Sequence, residues 1–139
     1  MKISARVQNS KGQHQVTLVS GDRAQTLTIA PGPSGLGSSV NGGELLFLAL
    51  ATCYCNDLYR EAAKRGLNIS GVEVQVEGEF GAAGEAARNI RYRVKVASRE
   101  TEADVRALIQ HTDGVAEIHN TLRAGAAVTL TVAQIDESA

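Results

Sequence analysis

The stretch that decides the fold is residues 42–65, GGELLFLALATCYCNDLYREAAKR. From Glu44 to about Lys64 the apolar residues recur with helical periodicity, and Gly66 is a natural stop at the C-terminal end. The first half of this predicted helix is apolar nearly all round, which is typical of a helix that is buried on several sides. A chain of 139 residues with 4% aromatic content would struggle to surround such a helix, so we expect a partner chain to cover it.

The sequence before this helix predicts a small sheet followed by a loop. Three runs with period-2 patterning are separated by turn signals at Ser10-Lys11-Gly12 and Gly21-Asp22, which predicts an antiparallel meander. The predicted strands are 3–7, 15–19 and 24–29. Residues 31–43, PGPSGLGSSVNGG, are rich in glycine and serine and hold both prolines, so they are predicted to form a loop.

After the helix, two alternating strands are joined by the flexible hairpin 81–88, GAAGEAAR. Thr101 resembles the start of a capping box and opens a second helix, which is predicted to break at Asp113-Gly114. A short helical turn and a last strand follow. The predicted ranges are strands 72–76, 90–96 and 128–132 and a helical turn at 116–122. The fold class is therefore predicted to be α+β, in the order βββ-α-ββ-α-β, as a single domain over 1–139.

Composition and charge exclude several classes of function. A net charge of -1 gives no basic footprint for nucleic acid, so no nucleic-acid partner is expected. No stretch approaches the ~20 apolar residues that span a bilayer, and the N-terminus lacks a signal-peptide core. We expect a cytoplasmic protein without a membrane partner, in which two closely spaced cysteines remain free thiols.

The two cysteines, Cys53 and Cys55, point about 200° apart on an ideal helix, so an internal disulfide would require the helix to unwind. Cys55 falls in line with the apolar side, where a free cysteine commonly acts as a small hydrophobe. Cys53 shares the more polar face with Arg60. Because the thiolate is the nucleophile, a reactive cysteine needs a polar or cationic neighbourhood, which favours Cys53.

Residues 37–53, GSSVNGGELLFLALATC, resemble the entry to the main helix of the OsmC/Ohr family, whose members reduce organic hydroperoxides with a cysteine on that helix. Gly42-Gly43-Glu44 stands where the family often has Asn-Pro-Glu. The resemblance implies that Cys53 is the reactive cysteine and that Glu44 orients a cation. It also implies an intertwined homodimer in which antiparallel sheets wrap around the long central helices.

The chain departs from the family pattern at two places. In residues 115–123, VAEIHNTLR, Ala116 and Glu117 stand where family peroxidases carry a Cys-Pro pair with the second cysteine. The family's activating arginine has no counterpart at 11–14, and the nearest candidates are Arg6 and Arg23. The resemblance, with these departures, implies a one-cysteine peroxidase whose partners are a small-molecule peroxide and an external thiol reductant.

His119 is the preferred candidate to activate Cys53, because it lies one turn beyond the position of the missing cysteine. A neutral imidazole can accept the thiol proton, and the imidazolium can then hold the thiolate. Attack on a peroxide would convert the thiolate to a sulfenic acid. Cys55 of the second protomer is another possible resolving thiol, and no cofactor is expected.

Three other interpretations stay open. Both cysteines could simply pack in the core, with His119 capping a turn or satisfying a backbone carbonyl. Asp57 and Glu61, four residues apart, are better explained as surface charges at the solvated end of the helix than as a catalytic pair. A zinc site would have to draw on Cys53, Cys55, His111 and His119, which suits no tetrahedral geometry within one subunit. The alternative function is a non-catalytic dimer that binds a small apolar ligand in an interface pocket.

Overall fold

The computed structural model describes residues 1–136, which form two antiparallel sheets and three helices. The elements are β1 (Ile3–Ser10), β2 (Gln13–Ser20), β3 (Arg23–Leu27), α1 (Gly42–Lys64), β4 (Ile69–Glu79), β5 (Arg88–Ser98), α2 (Glu102–Val115) and α3 (Glu117–Arg123). The predicted α+β class is confirmed. The described residues divide into two compact units, Met1–Leu48 with Glu79–Arg88, and Ala49–Gly78 with the residues from Asn89 onward.

The first unit holds the predicted meander, which is confirmed with strand order β1-β2-β3. Val16 at the centre of β2 lies opposite Val7 of β1 and Leu27 of β3. Gly12 and Gly21 adopt positive φ angles of 78° and 61° in the two connecting turns, a backbone conformation that side chains with a Cβ rarely adopt. The turn residues therefore set the register that brings these three apolar side chains together.

Helix α1 begins with a complete capping box. The Asn41 side chain accepts a hydrogen bond from the Glu44 N–H at 2.8 Å, and the Glu44 carboxylate accepts one from the Asn41 N–H at 3.0 Å. Two backbone donors at the helix start are thus satisfied reciprocally. At the other end, Gly66 has a φ of +67°, which confirms it as the C-terminal stop.

Removing the cap should weaken the protein measurably. Asn41→Ala is expected to lower the free energy of unfolding by about 1 kcal/mol, because the Glu44 N–H loses its acceptor. Urea unfolding followed by circular dichroism measures the change. Ser39→Ala, in the same loop and outside the capping box, is the control, and an equal loss of stability in both variants would contradict the capping role.

The core of the second unit forms where α1 packs against α2 and the β4-β5 sheet. Tyr54, Leu58 and Leu108 are fully buried, and Ala62 and Ala116 complete the cluster. Alternate residues of the two strands pack against it, namely Val72, Val74, Tyr92, Val94 and Val96. The period-2 pattern of both strands therefore faces this core, as their sequences predict.

Helix α2 runs further than the sequence predicts. The predicted N-cap at Thr101 is confirmed, since its hydroxyl accepts from the Asp104 N–H at 3.2 Å. The predicted break at Asp113-Gly114 is wrong, because the helix continues to Val115. Asp113 is held there by side-chain contacts with Tyr92 and Arg123, which offset the poor helix propensity of Asp and Gly.

The strand predicted at Val128–Val132 is not formed, so the predicted order lacks its final element. A strand needs a neighbouring edge with which to pair, and within the described residues no strand pairs with this segment. Its alternating apolar side chains are exposed, at 98% for Val128, 86% for Leu130 and 67% for Val132. Within residues 1–136, no helix has the length and apolarity that crossing a bilayer requires.

Candidate active site

Cys53 lies in the middle of α1, half-buried, with its side chain packed against the core of the second unit. Its thiol donates a hydrogen bond to Asp57 Oδ2, with 3.3 Å between Sγ and the oxygen. The backbone of Ile118, at the start of α3, also hydrogen-bonds the sulfur. The thiol therefore has a carboxylate acceptor one turn further along its own helix and a backbone donor from a second helix.

Asp57 belongs to a network of charges around Arg60. Asp57 is only 7% exposed, and its Oδ1 lies 3.1 Å from Arg60 Nη1. The same guanidinium nitrogen lies 2.7 Å from Glu117 Oε1 of α3, while Arg60 Nε contacts Glu61 at 2.8 Å. One arginine thus bridges α1 and α3 and fixes the carboxylate that accepts the hydrogen bond from the Cys53 thiol.

The electrostatics of this cluster favour the neutral thiol. Burial raises the pKa of Cys53; the Ile118 N–H lowers it in part, and the negative charges of Asp57 and Glu117 raise it further. Burial also raises the pKa of Asp57, and its contact with Glu117 adds to this effect. Glu117 is exposed, and its contacts with Asp57 and Arg60 hold its pKa at about 2. Asp57 is therefore a stronger proton acceptor than an ordinary aspartate.

Glu61 lies beside this network and is 5% exposed, so the expectation of solvated surface charges at Asp57 and Glu61 is wrong. Its carboxylate pairs with His111 at 2.7 Å, with Lys64 at 3.1 Å and with Arg60. These contacts lower the pKa of Glu61 to about 2, with Arg60 the largest cause. His111 is thus committed to Glu61, where it ties α2 to α1.

His119 occupies different surroundings from those that its predicted role requires. It is 5% exposed and packs among aromatic rings, with centroids 4.7 Å from Tyr92 and 6.0 Å from Tyr54. Neither ring nitrogen has a hydrogen-bond partner among residues 1–136. The predicted activating contact with Cys53 is therefore absent, and Asp57 is the proton acceptor that the sulfur contacts.

Cys55 and Glu44, the other predicted site residues, have surroundings different from those of Cys53. Cys55 is half-buried and borders a shallow cleft with Thr52, Asn56 and Val74. Cys53 rather than Cys55 packs against the core, the reverse of the faces that helical periodicity assigns. Glu44 serves as half of the capping box, and its suggested role in orienting a cation stays a prediction.

The four residues weighed as zinc ligands do not share one set of neighbours. His111 pairs with Glu61, His119 lies among aromatic rings, and Cys55 borders its own cleft. In the part of the chain that the structure describes, the group spaced to hold a metal is Cys53, Asp57 and Glu117, with ligand atoms within 4.8 Å of one another. Arg60 already supplies positive charge to both carboxylates.

Sequence reasoning missed Asp57 as the partner of Cys53, although the signal is present in the sequence. Residues four apart on a helix are neighbours, so a carboxylate at i+4 from a cysteine lies within hydrogen-bond reach. The Ile118 contribution has no sequence signal, because a backbone N–H is independent of side-chain identity.

The chain is an α+β protein with two antiparallel sheets, and it carries a cysteine thiol in the middle of its long helix. A family model described as OsmC-like protein matches residues 35–131, so the chain belongs to that family. No curated protein matches the chain.

Several solved structures have the same fold. An OsmC-like protein from Mycoplasma pneumoniae is 21% identical, with 88% of this chain and 86% of that chain covered and a TM-score of 0.61. The organic hydroperoxide resistance protein OsmC from Legionella pneumophila is 15% identical, with 88% and 90% covered and a TM-score of 0.59. The organic hydroperoxide resistance protein OhrB of Bacillus subtilis is 14% identical, with 88% and 91% covered and a TM-score of 0.52.

Proposed function

We propose that this protein reduces organic hydroperoxides through Cys53, with an external thiol as reductant, and that it works as a homodimer. The observation that carries the proposal is the hydrogen bond from the Cys53 thiol to the buried Asp57 carboxylate. It gives the nucleophile a proton acceptor in direct contact, which is the arrangement that activates a thiol held neutral at rest. The names of the Legionella and Bacillus proteins, organic hydroperoxide resistance proteins, support the same substrate class.

The proposed reaction balances as a two-electron oxidation of sulfur. Sγ of Cys53 attacks the terminal oxygen of ROOH, the S–O bond forms and the O–O bond breaks. The thiol proton passes to Asp57 and then to the departing alkoxide, so the products are a sulfenic acid at Cys53 and the alcohol ROH. Arg60 contacts Oδ1 of the Asp57 carboxylate, which leaves Oδ2 of Asp57 directed at the Cys53 sulfur.

An external thiol then completes the cycle. It attacks the sulfenic acid, releases water and forms a mixed disulfide, and a second thiol releases Cys53 as the free thiol. Ala116 stands where the family has its second cysteine, so the sulfenic acid is resolved by the outside thiol or by Cys55 of the second protomer. If Cys55 resolves it, an outside thiol still reduces the disulfide that forms between the two protomers. Each step uses only side chains and thiols, with no cofactor.

The homodimer is supported by apolar surface that a single copy leaves in water. The alternating side chains of the C-terminal segment are exposed, as described above, and Tyr59 on α1 is 42% exposed. Apolar patches of this kind are typical of protein interfaces. A second copy of the chain fits the C-terminal segment because its period-2 pattern matches a strand that pairs with another sheet edge.

The second candidate is a non-catalytic dimer of the same fold that binds a small apolar ligand. The observation in its favour is the raised pKa of Cys53, which leaves little thiolate at neutral pH. The two functions differ in one respect that can be measured, namely whether a peroxide oxidises Cys53 selectively.

One equivalent of cumene hydroperoxide followed by dimedone trapping and mass spectrometry tests the proposal. We expect the adduct at Cys53 in the wild-type protein and in Cys55→Ser, and no adduct at residue 53 in Cys53→Ser. Cys55→Ser is the matched control, because it removes a thiol two residues away on the same helix. Slow and equal oxidation of both cysteines would contradict the enzyme and favour the binding protein.

A further inference from the structure

The second unit contains a cavity of about 460 Å³ that the proposed chemistry does not use. Its apolar walls come from α1, the two strands and α3, and consist of Leu50, Val76, Ile90 and Leu122. Tyr92 and His119 add polar atoms, and Arg91 and Arg123 complete the lining. Cys53, Asp57, Arg60 and Glu117 are not among the lining residues, so this cavity is distinct from the candidate active site.

His119 is the feature of this cavity that needs a partner. Both of its ring nitrogens are buried without a hydrogen bond among the described residues, whereas buried polar groups in proteins are nearly always satisfied. The ring planes of His119 and Tyr92 meet at 75°, and an aromatic contact of this kind does not replace a hydrogen bond to a ring nitrogen. Histidine rings rotate within a broad torsional well, so a small turn can direct a nitrogen at a molecule in the cavity.

The charges that line the cavity are positive. Arg91 and Arg123 both contribute to it, and among the described residues no acidic side chain lines it. Their carboxylate partners stand outside the lining, with Glu77 3.6 Å from Arg91 and Asp113 2.8 Å from Arg123. Burial lowers the pKa of His119, and Arg123 lowers it further, so at neutral pH the ring carries one N–H donor.

We propose that this cavity binds a small monocarboxylate with an aliphatic chain, whose carboxylate accepts hydrogen bonds from His119 and from the lining arginines. The aliphatic chain would lie against Leu50, Val76 and Leu122. The volume falls in the range that small-molecule sites occupy. Apolar walls with a small number of polar groups that fix the orientation of the ligand are the usual arrangement of such a site.

Titration with octanoate, monitored by NMR of the ¹⁵N-labelled histidine side chains, tests the proposal on the full chain. The chain has three histidines, so each can be assigned. We expect saturable shifts at His119, none at His14 or His111, and octanol binding at least fivefold more weakly than octanoate. Absence of saturable binding, or equal affinity for octanol and octanoate, would overturn the proposal.

Two comparisons test whether octanoate binds in this cavity: the wild-type protein with His119→Phe, and Arg91→Gln with Arg93→Gln. His119→Phe keeps an aromatic ring against Tyr54 and Tyr92 and is expected to weaken octanoate binding about tenfold, because a hydrogen bond to a charged group is lost. Arg91→Gln is expected to weaken it about threefold, while Arg93→Gln leaves it unchanged. Arg93 is the matched control, since it also pairs with Glu77 but does not line the cavity.

The same variants have outcomes that would contradict the proposed octanoate site. Unchanged affinity in His119→Phe, or equal effects of the two arginine variants, would place octanoate elsewhere on the protein. If His119→Phe fails to fold, the histidine shifts of the wild-type protein and the Arg91 and Arg93 pair still decide the outcome. Because no lining residue takes part in peroxide reduction, a failure here leaves the function of Cys53 untouched.

Discussion

Replacing Asp57 with asparagine is expected to slow the oxidation of Cys53 by cumene hydroperoxide about a hundredfold and to speed its alkylation by maleimide at pH 7. The peroxide reaction needs the thiol proton to reach the departing alkoxide, and an amide in place of the carboxylate could not carry it; general bases typically contribute 10²–10⁴-fold. Alkylation needs only the thiolate. Loss of the Asp57 charge lowers the pKa of Cys53, so the thiolate fraction rises.

Stopped-flow kinetics with the two reagents, over a range of pH, measure both rates on the same protein. Since burial, with Asp57 adding to it, raises the pKa of Cys53 in the wild-type protein, the half-maximal pH for alkylation should lie above that of an ordinary cysteine. It should fall in the variant, which loses the contribution of Asp57. Glu117→Gln is the control, because it removes a nearby negative charge but keeps the proton acceptor. Should both rates rise in Asp57→Asn, Asp57 acts only through its charge and the proton shuttle is refuted.

The interior of the fold could be predicted from the sequence better than its chemistry. Local periodicity and turn residues determine the meander, the long helix and the two strands that follow it. Both features can be recognised directly in the sequence. The last strand could not be decided in this way. Val128, Leu130 and Val132 alternate as a strand does, but forming the strand depends on an edge with which to pair.

The site was harder to predict because the role of a charged residue depends on its burial: an exposed charge is solvated, whereas a buried one is paired with other charges. Asp57 and Glu61 read as solvated charges at the end of a helix, yet both are buried and paired around Arg60. His119, by contrast, has the chemistry of an activating base, but its position on α3 places its ring among aromatic side chains instead of beside the sulfur. Such choices depend on tertiary packing, which periodicity does not encode.

The second large effect is expected from Leu130→Asp, which should weaken the proposed homodimer at least a hundredfold. Leu130 is 86% exposed in one chain, so the substitution costs the isolated subunit little. In a dimer that buries this side chain, an unpaired carboxylate would carry a desolvation cost of several kcal/mol. Sedimentation equilibrium over a range of concentrations measures the association constant.

Thr131→Asp is the control for this experiment, because its side chain points to the opposite face of an extended segment. It is expected to weaken the dimer far less than Leu130→Asp does. A wild-type protein that is monomeric at every concentration would remove the homodimer. An equal loss in both variants would show that added charge, and not the apolar face, controls association.

The reacting group and its helpers all come from one chain, with Cys53, Asp57 and Arg60 on α1 and Ile118 on α3. The apolar segment that would join two copies lies elsewhere in the sequence, beyond residue 124. Different substitutions would therefore change the reactivity of Cys53 and the association of two copies. A variant could lose one property while keeping the other, giving a reactive monomer or an unreactive dimer.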